Sequence, residues 1–106
     1  MTVYNKLVRD RIPDIIRRQG EKPVVRILED EEYTLCLEEK LDEEVAEYHR
    51  DKNLEELADI LQVVFALAEN LGASREELLD VYRQKNEKRG GFSDRVFLIS
   101  KEDNCL

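Results

Sequence analysis

Apolar residues recur at helical spacing through most of the chain. Tyr33, Leu37, Leu41, Val45 and Tyr48 stand three or four positions apart and make one apolar stripe on a helix. No Gly or Pro interrupts residues 29–48, and acids dominate there. A second helix is predicted from Asn53, a capping residue with Glu56 three positions on, to about Leu71, where Gly72 stops it. Its second half, Ile60 to Ala68, is apolar nearly all round. Such a helix belongs at the centre of a bundle or of an oligomer. Ser74 and Glu77 cap a third long helix, which carries Leu78, Leu79, Val81 and Tyr82 and ends at Gly90-Gly91. Upstream, Pro13 suits the first turn of a short helix that Gly20 ends. Two β-branched runs, Pro23–Leu28 and Val96–Ile99, read as extended segments able to pair. The expected fold is all-α: a small helical bundle in one domain, 1–106, with a short two-stranded pairing beside it.

Composition narrows the function. The formal net charge is -8, so no nucleic-acid partner is expected, because phosphate contacts need a basic face. An acidic protein still binds a phosphorylated small molecule when divalent cations bridge the two. Met1–Lys6 offers no apolar stretch for a secretory leader, and no apolar run is long enough to span a membrane. Cys36 and Cys105 form no CxxC motif. These features predict a reduced, cytoplasmic protein. Cys36 reads as a small core residue, and Cys105 as a terminal residue without a role.

Four acids then stand out. Glu44 and Glu47 lie i, i+3 on the acidic helix, and Glu56 and Asp59 lie i, i+3 on the next, so each pair shares one side of its helix. Glu56 and Asp59 run directly into Val63 and Ala66, so their face turns apolar one turn later. The short connection at residues 49–52 favours antiparallel packing, which brings both pairs to one end. Four converging carboxylates must be neutralised by protons, basic partners or a cation. An all-oxygen set suits Mg²⁺ or Mn²⁺. His49 is the sole histidine, which argues against a histidine-built zinc site. Acidic helices are also commonly plain solvated faces, and periodicity alone does not separate the two readings.

With both halves in place, Glu43-Glu44-Val45-Ala46-Glu47 and Glu56-Leu57-Ala58-Asp59 resemble the EExxE…ExxD signature of the MazG-like, all-α NTP pyrophosphatases. The flanks Tyr4–Asp10 and Lys85…Lys88-Arg89-Gly90-Gly91-Phe92 resemble a compact subgroup described as phosphoribosyl-ATP pyrophosphohydrolase-like. The resemblance implies a homo-oligomer, at least a dimer. It also implies Mg²⁺-dependent hydrolysis of a nucleotide between its α and β phosphates. By position, Glu44, Glu47, Glu56 and Asp59 match the metal ligands. Glu43 or Glu47 would orient the attacking water or take its proton. Lys85, Lys88 and Arg89 would hold phosphates, or simply complement a helix C-terminus. Lys6, Arg9 and Arg11 could reach phosphate, although salt bridges to neighbouring acids are their more ordinary use. Tyr33, Tyr48 and Tyr82 could stack on a base, but at helical spacing they read first as core. Two alternatives stand beside the main expectation: phosphoribosyl-ATP hydrolysis in histidine synthesis, and a non-catalytic helical module that binds nucleotide or protein.

Overall fold

The computed structural model describes residues 1–103. They form four helices, α1 (Ile12–Arg18), α2 (Asp30–Asp51), α3 (Leu54–Asn70) and α4 (Arg75–Arg89). The all-α expectation holds. The two-stranded pairing does not: residues 24–28 and 96–99 carry no strand. Val24, Val25, Ile27 and Val96 to Ile99 are all exposed. A β-branched run forms a strand only where another strand and an apolar face receive it, and an α-helical bundle offers neither. Cys105 lies outside the described residues.

The helix ends follow from local chemistry. Pro13 stands at the start of α1, where its missing N–H is harmless. At α3 the Asn53 side chain accepts a hydrogen bond from the Glu56 backbone N–H at 3.0 Å. Only half of a capping box forms there, because the Glu56 carboxylate takes part in the acidic cluster described below. At α4 the box is complete: the Glu77 N–H donates to Ser74, and the Ser74 N–H donates to Glu77. Lys52 closes α2 in the left-handed region, with φ 46 and ψ 49, a conformation that costs most non-glycine residues about 1–2 kcal/mol. This tight turn folds α3 straight back on α2.

The antiparallel α2–α3 hairpin is the body of the molecule. At its far end the Asn70 amide donates to Thr34 Oγ1 at 2.9 Å. Leu37, Val63 and Ala68 are its buried apolar residues, and Tyr33, Leu41, Val45 and Tyr48 are half-buried along the predicted stripe. α4 leaves α3 at a bend of 107°, with the Arg75 guanidinium 4.1 Å from the Phe65 ring centroid. α1 packs against none of the other helices.

One chain covers itself poorly. Its radius of gyration is 19.3 Å and its extents are 70 × 31 × 23 Å. A compact chain of this length would have a radius near ~13 Å. The accessible surface is 10213 Å², against roughly 6,200 Å² for a folded monomer of this mass. Leu54, Leu57 and Leu61, on one side of α3, are exposed, and so are Val81 and Tyr82 on α4. Tyr82 is therefore not the core residue its spacing predicts. No single helix among the described residues is long and apolar enough to cross a membrane.

Candidate metal centre

The hairpin brings the four predicted acids together. One carboxylate oxygen from each of Glu44, Glu47, Glu56 and Asp59 lies within 4.8 Å of all the others. It is the one such group of acids, histidines or cysteines among the described residues. Two come from the last turns of α2 and two from the first turns of α3, so the Lys52–Asn53 turn sets their spacing. Antiparallel packing and the two i, i+3 spacings account for the convergence.

The electrostatics are unfavourable without a cation. Glu44 is 6% exposed, yet it is a carboxylic acid. Burial raises its pKa above the ordinary carboxylate value, the neighbouring Glu47 raises it further, and Lys40 opposes the shift. Glu56 is raised too, first by desolvation and then by Glu47, Asp51 and Asp59. Oxygen Oε2 of Glu44 and oxygen Oε2 of Glu56 are buried with no hydrogen-bond partner. Buried polar atoms are rarely left unpaired, and among the described residues both orphans belong to this cluster. Oxygen donors at this spacing suit a hard cation, Mg²⁺ or Mn²⁺, and no soft or imidazole donor joins them. His49 is exposed and outside the cluster.

Basic residues surround the quartet unevenly. Lys40 Nζ lies 3.3 Å from Glu43 and 3.4 Å from Glu44, with its side chain mostly buried. The sequence reading misses Lys40, although its i, i+3 and i, i+4 spacing to these acids is the signal that finds it. Lys6 Nζ lies 3.7 Å from Glu43, and Arg9 pairs with Asp59. Salt bridging is the use expected of them, but Glu43 and Asp59 are distant in sequence and not neighbours along the chain. Arg11 is exposed. Glu43 thus stands beside the quartet between two lysines, whereas Glu47 makes no ion pair among the described residues.

The predicted phosphate-binding residues stand apart. Lys85, Lys88 and Arg89 are exposed on the last turns of α4. At the helical rise Lys88 lies about 20 Å along α4 from its start, and the bend carries α4 away from the line of α3. Within one chain they do not join the acids. Tyr33 and Tyr48 are half-buried on the α2 stripe, and Cys36 is a half-buried free thiol.

Comparison with known proteins adds one relative. A stretch of 42 residues, 40% of the chain, is 62% identical to an uncharacterized protein of Mycolicibacterium smegmatis. That stretch spans 43% of the relative's length. No family model matches the chain, and no solved structure matches it.

Proposed function

We propose that the protein is a nucleotide pyrophosphohydrolase that uses Mg²⁺, or Mn²⁺, held by Glu44, Glu47, Glu56 and Asp59. The observation that carries this reading is the pair of buried, unpartnered oxygens on Glu44 and Glu56, both members of a cluster of four carboxylates. Such an arrangement is costly for an apo protein and ordinary for a cation site. A divalent ion bound there would offset phosphate charge and lower the pKa of a water for attack. The resemblance of EExxE…ExxD supplies the reaction class: water cleaves the α–β phosphoanhydride, giving a nucleoside monophosphate and pyrophosphate.

The chain's own acids divide the remaining work. Glu47 makes no ion pair among the described residues, so the carboxylate oxygen it does not give to the cation is the freer of the two candidates to orient the water and accept its proton. Glu43, held by Lys6 and Lys40, serves mainly to fix those lysines beside the site. Lys85, Lys88 and Arg89 would bind phosphates only if α4 of a second copy lay alongside the quartet. A homo-oligomer, at least a dimer, is part of the proposal, supported by the exposed Leu54, Leu57 and Leu61 and by the excess surface of one chain. A reduced, cytoplasmic setting fits a nucleotide substrate.

The test is a panel of nucleoside triphosphates, with phosphoribosyl-ATP included, incubated with Mg²⁺ and assayed for products. Pyrophosphate and a monophosphate are expected. Orthophosphate as first product, or full activity in excess EDTA, would refute the reading.

A further inference from the structure

We infer that the N-terminal arm, residues 1–11, is the phosphate grip of this site, with Lys6 and Arg9 as the residues that take hold of a polyphosphate. The inference rests on the cation-site reading above. The arm is tied to the hairpin at the acids themselves. Arg9 reaches Asp59 on α3, and Lys6 reaches Glu43 on α2, so the two side chains straddle the cluster. The α1 helix that follows packs against none of the other helices. The backbone bends at Lys6, just after Asn5 takes a left-handed conformation with φ 46, which asparagine tolerates.

Charge decides what these cations are for. Five carboxylates, Glu43, Glu44, Glu47, Glu56 and Asp59, face three cations, Lys6, Arg9 and Lys40. Two negative charges remain, which one divalent cation balances. Once that ion sits on Asp59, Arg9 shares a carboxylate with a second positive charge and its pairing weakens. A polyphosphate on the same ion then offers Arg9 and Lys6 better acceptors, and guanidinium in particular binds phosphate through two parallel hydrogen bonds. Exposure separates these two residues from Lys40. The Lys40 side chain is 16% exposed and wedged between two acids, whereas those of Lys6 and Arg9 are 45% and 55% exposed. Exposed ion pairs are weak and easily exchanged. These pairs therefore park the arm beside the site, and a polyphosphate draws it down.

The experiment uses the full chain with Mn²⁺ alone and with Mn²⁺ plus inorganic tripolyphosphate, followed by calorimetry and Mn²⁺ paramagnetic resonance. The variants are Arg9→Ala, Arg9→Lys and Lys6→Ala. Arg9→Ala and Lys6→Ala should bind Mn²⁺ alone at least as tightly as the wild type, since a competing cation is gone. They should bind tripolyphosphate about tenfold more weakly or worse, the loss of one charged hydrogen-bond contact. Arg9→Lys should recover part of the loss. Unchanged tripolyphosphate affinity in both alanine variants overturns the grip while leaving the cation site intact. Weaker Mn²⁺ binding in Arg9→Ala also overturns it, because Arg9 would then be building the site. A wild type that binds no Mn²⁺, yet loses tripolyphosphate on Arg9→Ala, keeps the grip and removes the cation-site reading.

Discussion

At the end of the hairpin remote from its turn, polar groups are matched. Asn70 donates to Thr34, and Arg26 makes two hydrogen bonds to Glu32, at 3.1 and 2.7 Å. Leu37 and Ala68 are buried there. At the turn end of the same two helices, acids face acids, Glu44 is buried with an orphaned oxygen, and Glu56 has another. The shifts have opposite sign: Glu32 lies below its ordinary value because Arg26 hydrogen-bonds it, while Glu44 and Glu56 lie above theirs. One end is arranged for the folded chain by itself. The other leaves buried oxygens without a partner among the described residues. Departures from local satisfaction of this kind concentrate at functional sites.

The comparison breaks most sharply in activity. Glu56→Gln or Asp59→Asn should lower turnover by orders of magnitude, on the scale of about 10²-fold or more, because each removes a ligand that supports charge neutralisation in the transition state. Leu37→Ala, at the matched end, should leave the kcat of the folded protein within about twofold while reducing stability by roughly 2–5 kcal/mol. Denaturant melts and steady-state kinetics on both sets would detect a reversal of this pattern.

Next in size is the response to metal. On the proposed site Mg²⁺ would bind only the folded state, and it should stabilise the wild type by about 2.7 kcal/mol at a hundred times its Kd. Glu44→Gln should abolish most of that response. Without metal, the same substitution should raise Tm by on the order of 5 °C, the shift that about 1 kcal/mol produces in a domain of this size, since it removes a buried charge at nearly constant shape. A lower metal-free Tm would mean that Lys40 stabilises the ionised Glu44 more than burial and Glu47 oppose it.

The smallest effect is the pH dependence. Glu44 and Glu56 hold protons more tightly folded than unfolded, so their contribution is full below the ordinary value of 4.5 and is lost as pH rises through their raised values. Glu32 runs the other way: its contribution is present above 4.5 and is lost as pH falls through its lowered value. The two windows do not overlap. Between pH 5 and 7 the metal-free protein should therefore gain stability as pH falls, and the Mg²⁺ response should shrink as protons compete for the same oxygens. Thermal melts across this range, with and without Mg²⁺, measure both slopes. A metal-free Tm that falls from pH 7 to 5 would contradict the sign.

Much of this asymmetry is written in spacing. The four helices, the Asn53 and Ser74 caps and the convergence of Glu44, Glu47, Glu56 and Asp59 follow from period, capping residues and a short connection. What spacing does not carry is partnership over long separation. Arg9 meets Asp59 fifty residues away, and nothing local to either residue announces the pair. Lys52 takes a left-handed conformation that glycine or asparagine would have signalled. Residues 24–28 and 96–99 have strand composition but no neighbour to pair with, so propensity misleads there. Tyr82 fits the periodicity of a core residue, yet no second layer covers α4 in a single chain.

The two-residue turn at Lys52 and Asn53 has a consequence for the time course of folding. All four acids fall between positions 44 and 59, so they are drawn together as soon as this hairpin closes. Short loops close fast, and local contacts form early. The chain therefore meets its strongest internal repulsion near the start of folding. Like charges oppose each collapse of the hairpin, and a divalent ion held by the four acids would relieve that opposition. A cation bound by these acids would therefore leave its mark on the refolding rate as well as on the rate of unfolding.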